Sequence, residues 1–460
     1  MKLSVALLLA LVASAPAAGQ QRSCRLEKSG SGTQIGGEGN QLVFLGGGVN
    51  FRCTDGVTIL SDSLAWYEAA GIAEFVGHVR YTDAENRLTA GYVRYLGRER
   101  RAIAQIDVVL TDRETGSTIL APHMDYYQRS EQRPEPLIQM FSGRPHAILV
   151  SLVGADTARA DTTRADSARA DTTVVDADAM EINGRDRFNA RGNVELQRGE
   201  LRGWGQFADM DRGAGSLRLI TSARLESPEY RLAGDTIVGR TNDADELEEV
   251  TATRAARLDA SDVGVAARSI RIFLDEGEVS RLVARGEAPD TGAVDPRRQA
   301  SAVSADFQLT ADSIDALAPG RQLDTLTAVG RAWGQRLGDD LADANIPAIV
   351  AHDWMRGDTI IATFRESAPA PDDTTGQPDR EIDTVTSIGK PAASAYRIAD
   401  EEDPAGTPAI NYVRAGRIVV SMVAGKVASV NADGDVQGIY LQPVRRMDSG
   451  ARGSGGAGPR

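Results

Sequence analysis

The feature that most limits what this chain can fold into is an eight-residue phrase that returns along most of its length. The phrase runs apolar, any, small, Asp or a substitute, any, apolar, any, apolar. Its first copy reads Ile59, Ser61, Asp62, Leu64, Trp66, and the next Leu88, Ala90, Gly91, Val93, Tyr95. Then come Ile119, Ala121, Pro122, Met124, Tyr126 and Val175, Ala177, Asp178, Met180, Ile182. Later copies start at Leu232, Val265, Leu309 and Met355, with a degenerate one at Leu201. Successive starts lie 29, 31, 56, 26, 31, 33, 44 and 46 residues apart, and the shorter spacings suit a two-strand unit with its turns. Repetition at such a period implies stacked repeats.

The phrase carries geometry. Side chains alternate faces along a strand, so the first apolar position and the small one two later share a face. The next apolar positions fall on the opposite parity. Holding all of them on one face requires an extra residue at the small-Asp step, which a β-bulge supplies. The Asp then reads as a bulge and turn residue rather than a ligand.

The second strand of the unit is clearest at Phe188, Ala190, Gly192, Val194, Leu196, with polar Asn189, Arg191, Asn193 and Glu195 between. Ala73, Phe75, Gly77, Val79, Tyr81 repeats it, as do Leu282, Ala284, Gly286, Ala288 and Leu326, Ala328, Gly330, Ala332. One face is therefore apolar and small at its centre. Either the walls of a narrow solenoid approach there, or space is left for a guest aliphatic chain.

Residues outside the repeat define the expected organisation. Lys2, the apolar run Leu3 to Ala13 and the small residues Ser14 to Gly19 read as a signal peptide over 1–19. Cys24 follows Gln21-Arg22-Ser23, which is not the box before a lipidated cysteine. A first block is expected over 20–153 and a low-complexity linker of Asp, Thr, Arg and Ala over 154–174. A second block over 175–365, a flexible loop over 366–395, C-terminal strands over 396–446 and a disordered Gly-rich tail over 447–460 complete the reading. After the signal no apolar run reaches the length of a spanning helix, so the mature chain is expected to be soluble.

Chemistry is sparse. Cys24 and Cys53 are the two cysteines, and in an oxidising compartment so close a pair reads as one disulfide, with two free buried thiols as the alternative. Four scattered histidines, His78, His123, His146 and His352, lack metal-ligand spacing, and no metal or cofactor is expected. No phosphate loop, nucleophile elbow or HExxH motif is present, and the acidic residues fall at bulges and turns, so the chain reads as a non-enzyme. The formal charge of −14 argues against attraction to nucleic acid as the main function. Only Lys2, Lys28, Lys390 and Lys426 break an otherwise all-arginine basic complement. That bias could serve bidentate phosphate recognition, but biased nucleotide composition in the source genome is the preferred reading.

Ser61-Asp62, Gly77-His78-Val79 and Leu88-Thr89-Ala90-Gly91-Tyr92-Val93, with Gly192-Asn193-Val194, resemble the organic-solvent-tolerance (OstA-like) domain of the LptA family. The resemblance is best over residues 40–150 and 175–290, and thinner to 365 and at 410–443. It implies an all-β, elongated open jelly roll of stacked two-strand units, in two blocks joined by a linker. It implies a periplasmic component of lipopolysaccharide transport, with lipid A acyl chains inside. Partners would be lipopolysaccharide, and other transport components or a second copy joined end to end by strand pairing. Carried over by position, the inward residues would be Phe75, Val79, Val93, Val194, Ile237, Ile270 and Ile314. The chain departs from the family's single-domain pattern in holding about twice the repeat content. The competing expectation is an exported β-solenoid of structural or surface role without lipid cargo.

Overall fold

The computed structural model describes residues 8–9, 24–53, 56–152, 170–242, 246–260, 263–287, 298–305, 307–337, 352–366, 380–398, 408–423 and 426–442. These residues are nearly all β, in antiparallel strands, with a 3-10 turn at Pro319–Arg321. The chain divides into two compact units, Met1–Ser261 with Ser269–Val279, and Asp262–Arg268 with Ser280–Arg460.

In the first unit the long strands are folded into two arms at a register shift, and the short ones supply one arm each. Some strands break there. Thr58–Ser61 and Ser63–Tyr67 are two arms separated by Asp62, and both pair with the continuous strand Ile72–Thr82. Asn86–Leu96, Arg101–Asp112 and Thr118–Tyr127 follow as neighbours. Thr118–Tyr127 then pairs with His146–Leu152 through one arm and Leu137–Phe141 through the other. Ala170–Asp176 and Ala179–Asn183 repeat the split, joined to Arg187–Arg198. Leu201–Asp211, Ser216–Glu226, Tyr230–Thr241 and Leu247–Ala260 continue the ladder. In the second unit, Phe307–Ala311 and Ser313–Leu317 are again two arms on one long strand, Thr325–Arg336. Trp354–Glu366, Arg380–Ile398 and Ala409–Val423 follow, closed by Lys426–Asp433 and Gln437–Leu441.

The fold line is built from residues with left-handed backbone. Gly77-His78, Ile106-Asp107, Gly192-Asn193, Thr221-Ser222 and Arg254-Ala255 in the first unit, and Gly330-Arg331 in the second, are consecutive pairs at positive φ. Most of these pairs sit in a register shift where two residues face one, as between Val76 and Val79. Bulges of this kind bend the strand and raise its local twist. The parity change expected at the small-Asp step is present, since Ala90 and Val93 are both buried three positions apart. The extra residue, however, lies on the facing Gly-containing strand, where Phe75 and Val79 are buried four apart.

Three further expectations are corrected. The ladder does not stop at residues 154–174, because Ala170–Asp176 pairs with His146–Leu152 in unbroken register. Residues 153–169 lie outside the described residues, but Thr172 to Val174 carry the β-branched side chains that suit a strand. Nor is 366–395 a loop throughout, since Arg380–Ile398 is a strand. Gly389 and Pro391 misled the reading; they fall in the register shift between Ile388 and Ala392, where a ladder N–H is not needed. The C-terminal strands therefore begin at Arg380 rather than 396. Of residues 1–19 only Leu8–Leu9 is described, as a short strand beside Cys24 and Arg25, and 447–460 lie outside the described residues.

Candidate functional site

Across the fold line the bulge or break keeps the apolar side chains of both arms on the inward face, with a change of parity on strands such as Asn86–Leu96. That inward face is apolar from strand to strand, while the outward face carries the charges. On Arg187–Arg198, Phe188, Ala190, Val194 and Leu196 are buried, and Arg191, Asn193 and Glu195 are exposed. Outward charges pair across strands, as in Arg94 with Glu74 and Arg231 with Glu226. Such exposed pairs contribute little stability and mainly keep this face in water.

All seven residues proposed as inward-facing are buried, and none is more than 8% exposed. Phe75 and Val93 stand directly opposite each other, and Phe75 meets Phe51 edge to face at 6.4 Å between ring centres. Val79 sits on the other arm of the same strand, beyond the bulge. Val194 pairs across from Gly205, and Ile237 lies between Leu219 and Ala252. Ile270 belongs to the first unit and Ile314 to the second, where it lies between Ala284 and Ala328. Six of the seven are thus spread along the apolar interior of the first unit, and Ile314 lies in that of the second, rather than all being gathered at a point.

At Gly286 the facing backbone does approach, since a Cβ would stand 2.6 Å from the Arg298 carbonyl oxygen, but Gly77, Gly192 and Gly330 have a different explanation from the two that the sequence suggested. At Gly192, φ is +74°, and a Cβ would stand 2.4 Å from Asp178 Oδ2. Neither a facing wall nor a guest occupies that space. A carboxylate does. The Asp178 N–H donates to the Gly192 carbonyl at 2.9 Å, and its carboxylate accepts from Asn193 Nδ2 at 2.9 Å. Asp62 does the same with Gly77 and with His78, at 2.9 and 2.7 Å. Asp312 repeats it with Gly330 at 2.9 Å and accepts from Arg331 Nε at 3.1 Å. That carboxylate holds the Arg331 guanidinium above its ordinary pKa, chiefly through the hydrogen bond. The recurring Asp is thus a clasp across the fold line, joining a broken strand to the bulge of its neighbour. Sequence reading found the Asp and the Gly but not their pairing, whose spacing varies between 15, 14 and 18 residues.

Sequence reading also missed a buried carboxylate on the outward face. Asp125 is almost fully buried, ion-paired with Arg101, and has His123 Nε2 3.4 Å from Oδ1. Gln105 Nε2 lies in hydrogen-bond contact with His123 Nδ1 at 3.1 Å. Tyr127 is stacked beneath the Arg101 and Arg133 guanidiniums. No group of metal-ligating residues is found among the described residues. Cys24 and Cys53 are register partners on Cys24–Lys28 and Val49–Cys53, and Cys53 is disulfide-bonded.

No family model matches the sequence, and no curated protein matches it. Among solved structures it is similar to LptH of Pseudomonas aeruginosa, the LptA-homologous periplasmic component of that organism's lipopolysaccharide transport device. The identity is 15%, covering 32% of this chain and 88% of that one, with a TM-score of 0.23.

Proposed function

We propose that this chain is an exported periplasmic component of lipopolysaccharide transport that holds lipid acyl chains along its apolar interior. The observation that carries the reading is the two-armed strand, which gives the long central strands an apolar inner and a polar outer side. Such an interior suits a linear aliphatic ligand, because its apolar lining continues from one strand to the next. The motif resemblance supplies the chemical class of the cargo. Transport partners or a second copy would add at the edge of Ser31–Ile35, which among the described residues pairs with Leu42–Gly46 alone.

Strand parity gives the test. Val194 is buried and its neighbour Glu195 is exposed. A photo-crosslinking residue at 194 is expected to capture lipid in living cells, and the same residue at 195 is not. Equal capture at both, or none at either, would sink the reading. The second reading, a β-solenoid without cargo, is favoured by one specific observation. Gly203 lies so close to Leu219 that a Cβ would stand 2.8 Å from Cδ1, which is close packing and leaves no room there for a guest.

A further inference from the structure

The two arms of the first unit meet at the fold line and end in separate sets of tips. At one arm's tips, register partners run from Thr82 through Arg87 and Thr111 to Thr118. The turns beyond that row carry Glu85 and Glu114. At the other arm's tips, the row runs from Ile72 through Arg101 and Tyr127 to Asn183 and Arg187. The turn that closes its last pair carries Arg185.

Burial between the arms falls toward the tips. On the arm that leads to Arg185, Phe75, Val93, Ala104 and Met124 form an inward row beside the fold line, and all four are buried. Ala73, Tyr95, Ala102 and Tyr126 form the next inward row, two residues nearer the tips, and are only half-buried. The interior thus opens at the tips, away from the fold line.

Arg185 crosses that opening. Its Nη2 lies 3.4 Å from Glu85 Oε1, and its Nη1 lies 3.4 Å from Glu114 Oε2. One planar guanidinium on one arm therefore holds two tips of the other. All three side chains are more than half exposed. Exposed ion pairs are weak and screened by salt, so this contact can part at little cost where packed side chains could not.

We infer that Arg185 latches the mouth of the first unit's interior, and that an aliphatic ligand enters sideways between the arm tips when the two ion pairs part. The ligand half of the inference rests on the proposed function; the latch does not. A Met124→Cys background reads the latch without lipid, through the rate at which N-ethylmaleimide labels the buried thiol. Arg185→Glu, which repels both carboxylates, is expected to speed that labelling by roughly threefold or more. Adding Glu85→Arg and Glu114→Arg to it should restore slow labelling, with the charges reversed. Raising the salt should speed labelling of the chain with Arg185 and leave Arg185→Ala unchanged. For the ligand, Arg185→Cys with Glu114→Cys, joined by a bis-maleimide, is expected to lose the uptake of added lipopolysaccharide that the unjoined pair retains. Labelling that ignores both charge reversal and salt overturns the latch. Normal uptake by the joined pair overturns sideways entry. Labelling governed by residue 185, in a chain that never takes up lipopolysaccharide, would sink the cargo reading and leave the latch standing.

Discussion

The two units use one backbone rule and fill it differently. In the first, Phe51, Phe75 and Phe188 are buried together with Met124, Met140, Met180 and a row of leucines. In the second, buried positions are held largely by alanine, among them Ala284, Ala300, Ala311, Ala328, Ala332 and Ala392. The clasp is common to both, at Asp62 and Asp178 in one and Asp312 in the other. Fold line and filling are therefore separable. Alanine packed to native density means that the walls themselves are close, whereas large side chains fill a wider space and can yield to a guest by changing rotamer. On the proposed function, acyl chains belong in the first unit.

The contrast can be broken most directly at Phe75. Phe75→Ala removes a buried ring packed against Phe51, and is expected to cost about 3–5 kcal/mol in the denaturant unfolding of the first unit. A loss below roughly 1 kcal/mol would mean that the first interior collapses freely and is not filled as described. Ala328→Phe in the second unit should cost about 1–3 kcal/mol or more through overpacking. If it were neutral, the second interior would hold hidden volume, and the contrast between units would fail. The smallest effect sharpens what the units share. Gly192→Ala and Gly330→Ala force a side chain onto left-handed backbone at φ +74° and +83° beside a carboxylate. Each should cost about 1–2 kcal/mol for the backbone. Asp178→Ala should relieve part of the Gly192→Ala cost in a double-mutant cycle, because the two positions share one space. Strict additivity would show that the clasp and the bulge act independently.

Much of the fold was legible because apolar parity survives in the sequence wherever a strand is half-buried. Phe188 to Leu196 is an example, and so is the parity change at Ala90 and Val93. The fold line was legible only where glycine marks it, at Gly77, Gly192 and Gly330. Ile106-Asp107, Thr221-Ser222 and Arg254-Ala255 occupy the same left-handed conformation without a glycine. Ile106 and Thr221 are β-branched residues that disfavour it, so local preference points the wrong way and the surrounding ladder overrides it. The strand Arg380–Ile398 was hidden for the converse reason, because Gly389 and Pro391 resemble loop residues until the register shift that accommodates them is seen. The role of Gly192 was misread because parity records which residues share a face, not which side chain from another strand fills a gap. Asp125 was invisible, since a carboxylate between Met124 and Tyr126 looks like any outward position of an alternating strand.

In the first unit the strands pair with near neighbours in sequence, the widest skips, such as Leu137–Phe141 with Ala179–Asn183, crossing two intervening strands. Order in time follows from that order in space. Closing each new hairpin needs only a short loop, so the entropic cost of a rung does not grow with the length of chain already folded. A polypeptide delivered amino-terminus first can add rungs as it emerges, each templated on the edge left by the one before. The Cys24–Cys53 region, with its partner strands at Val49–Cys53 and Thr58–Ser61, is complete before the second unit has arrived. Assembly on this plan exposes one growing edge at a time in the first unit, besides the amino-terminal edge at Ser31–Ile35.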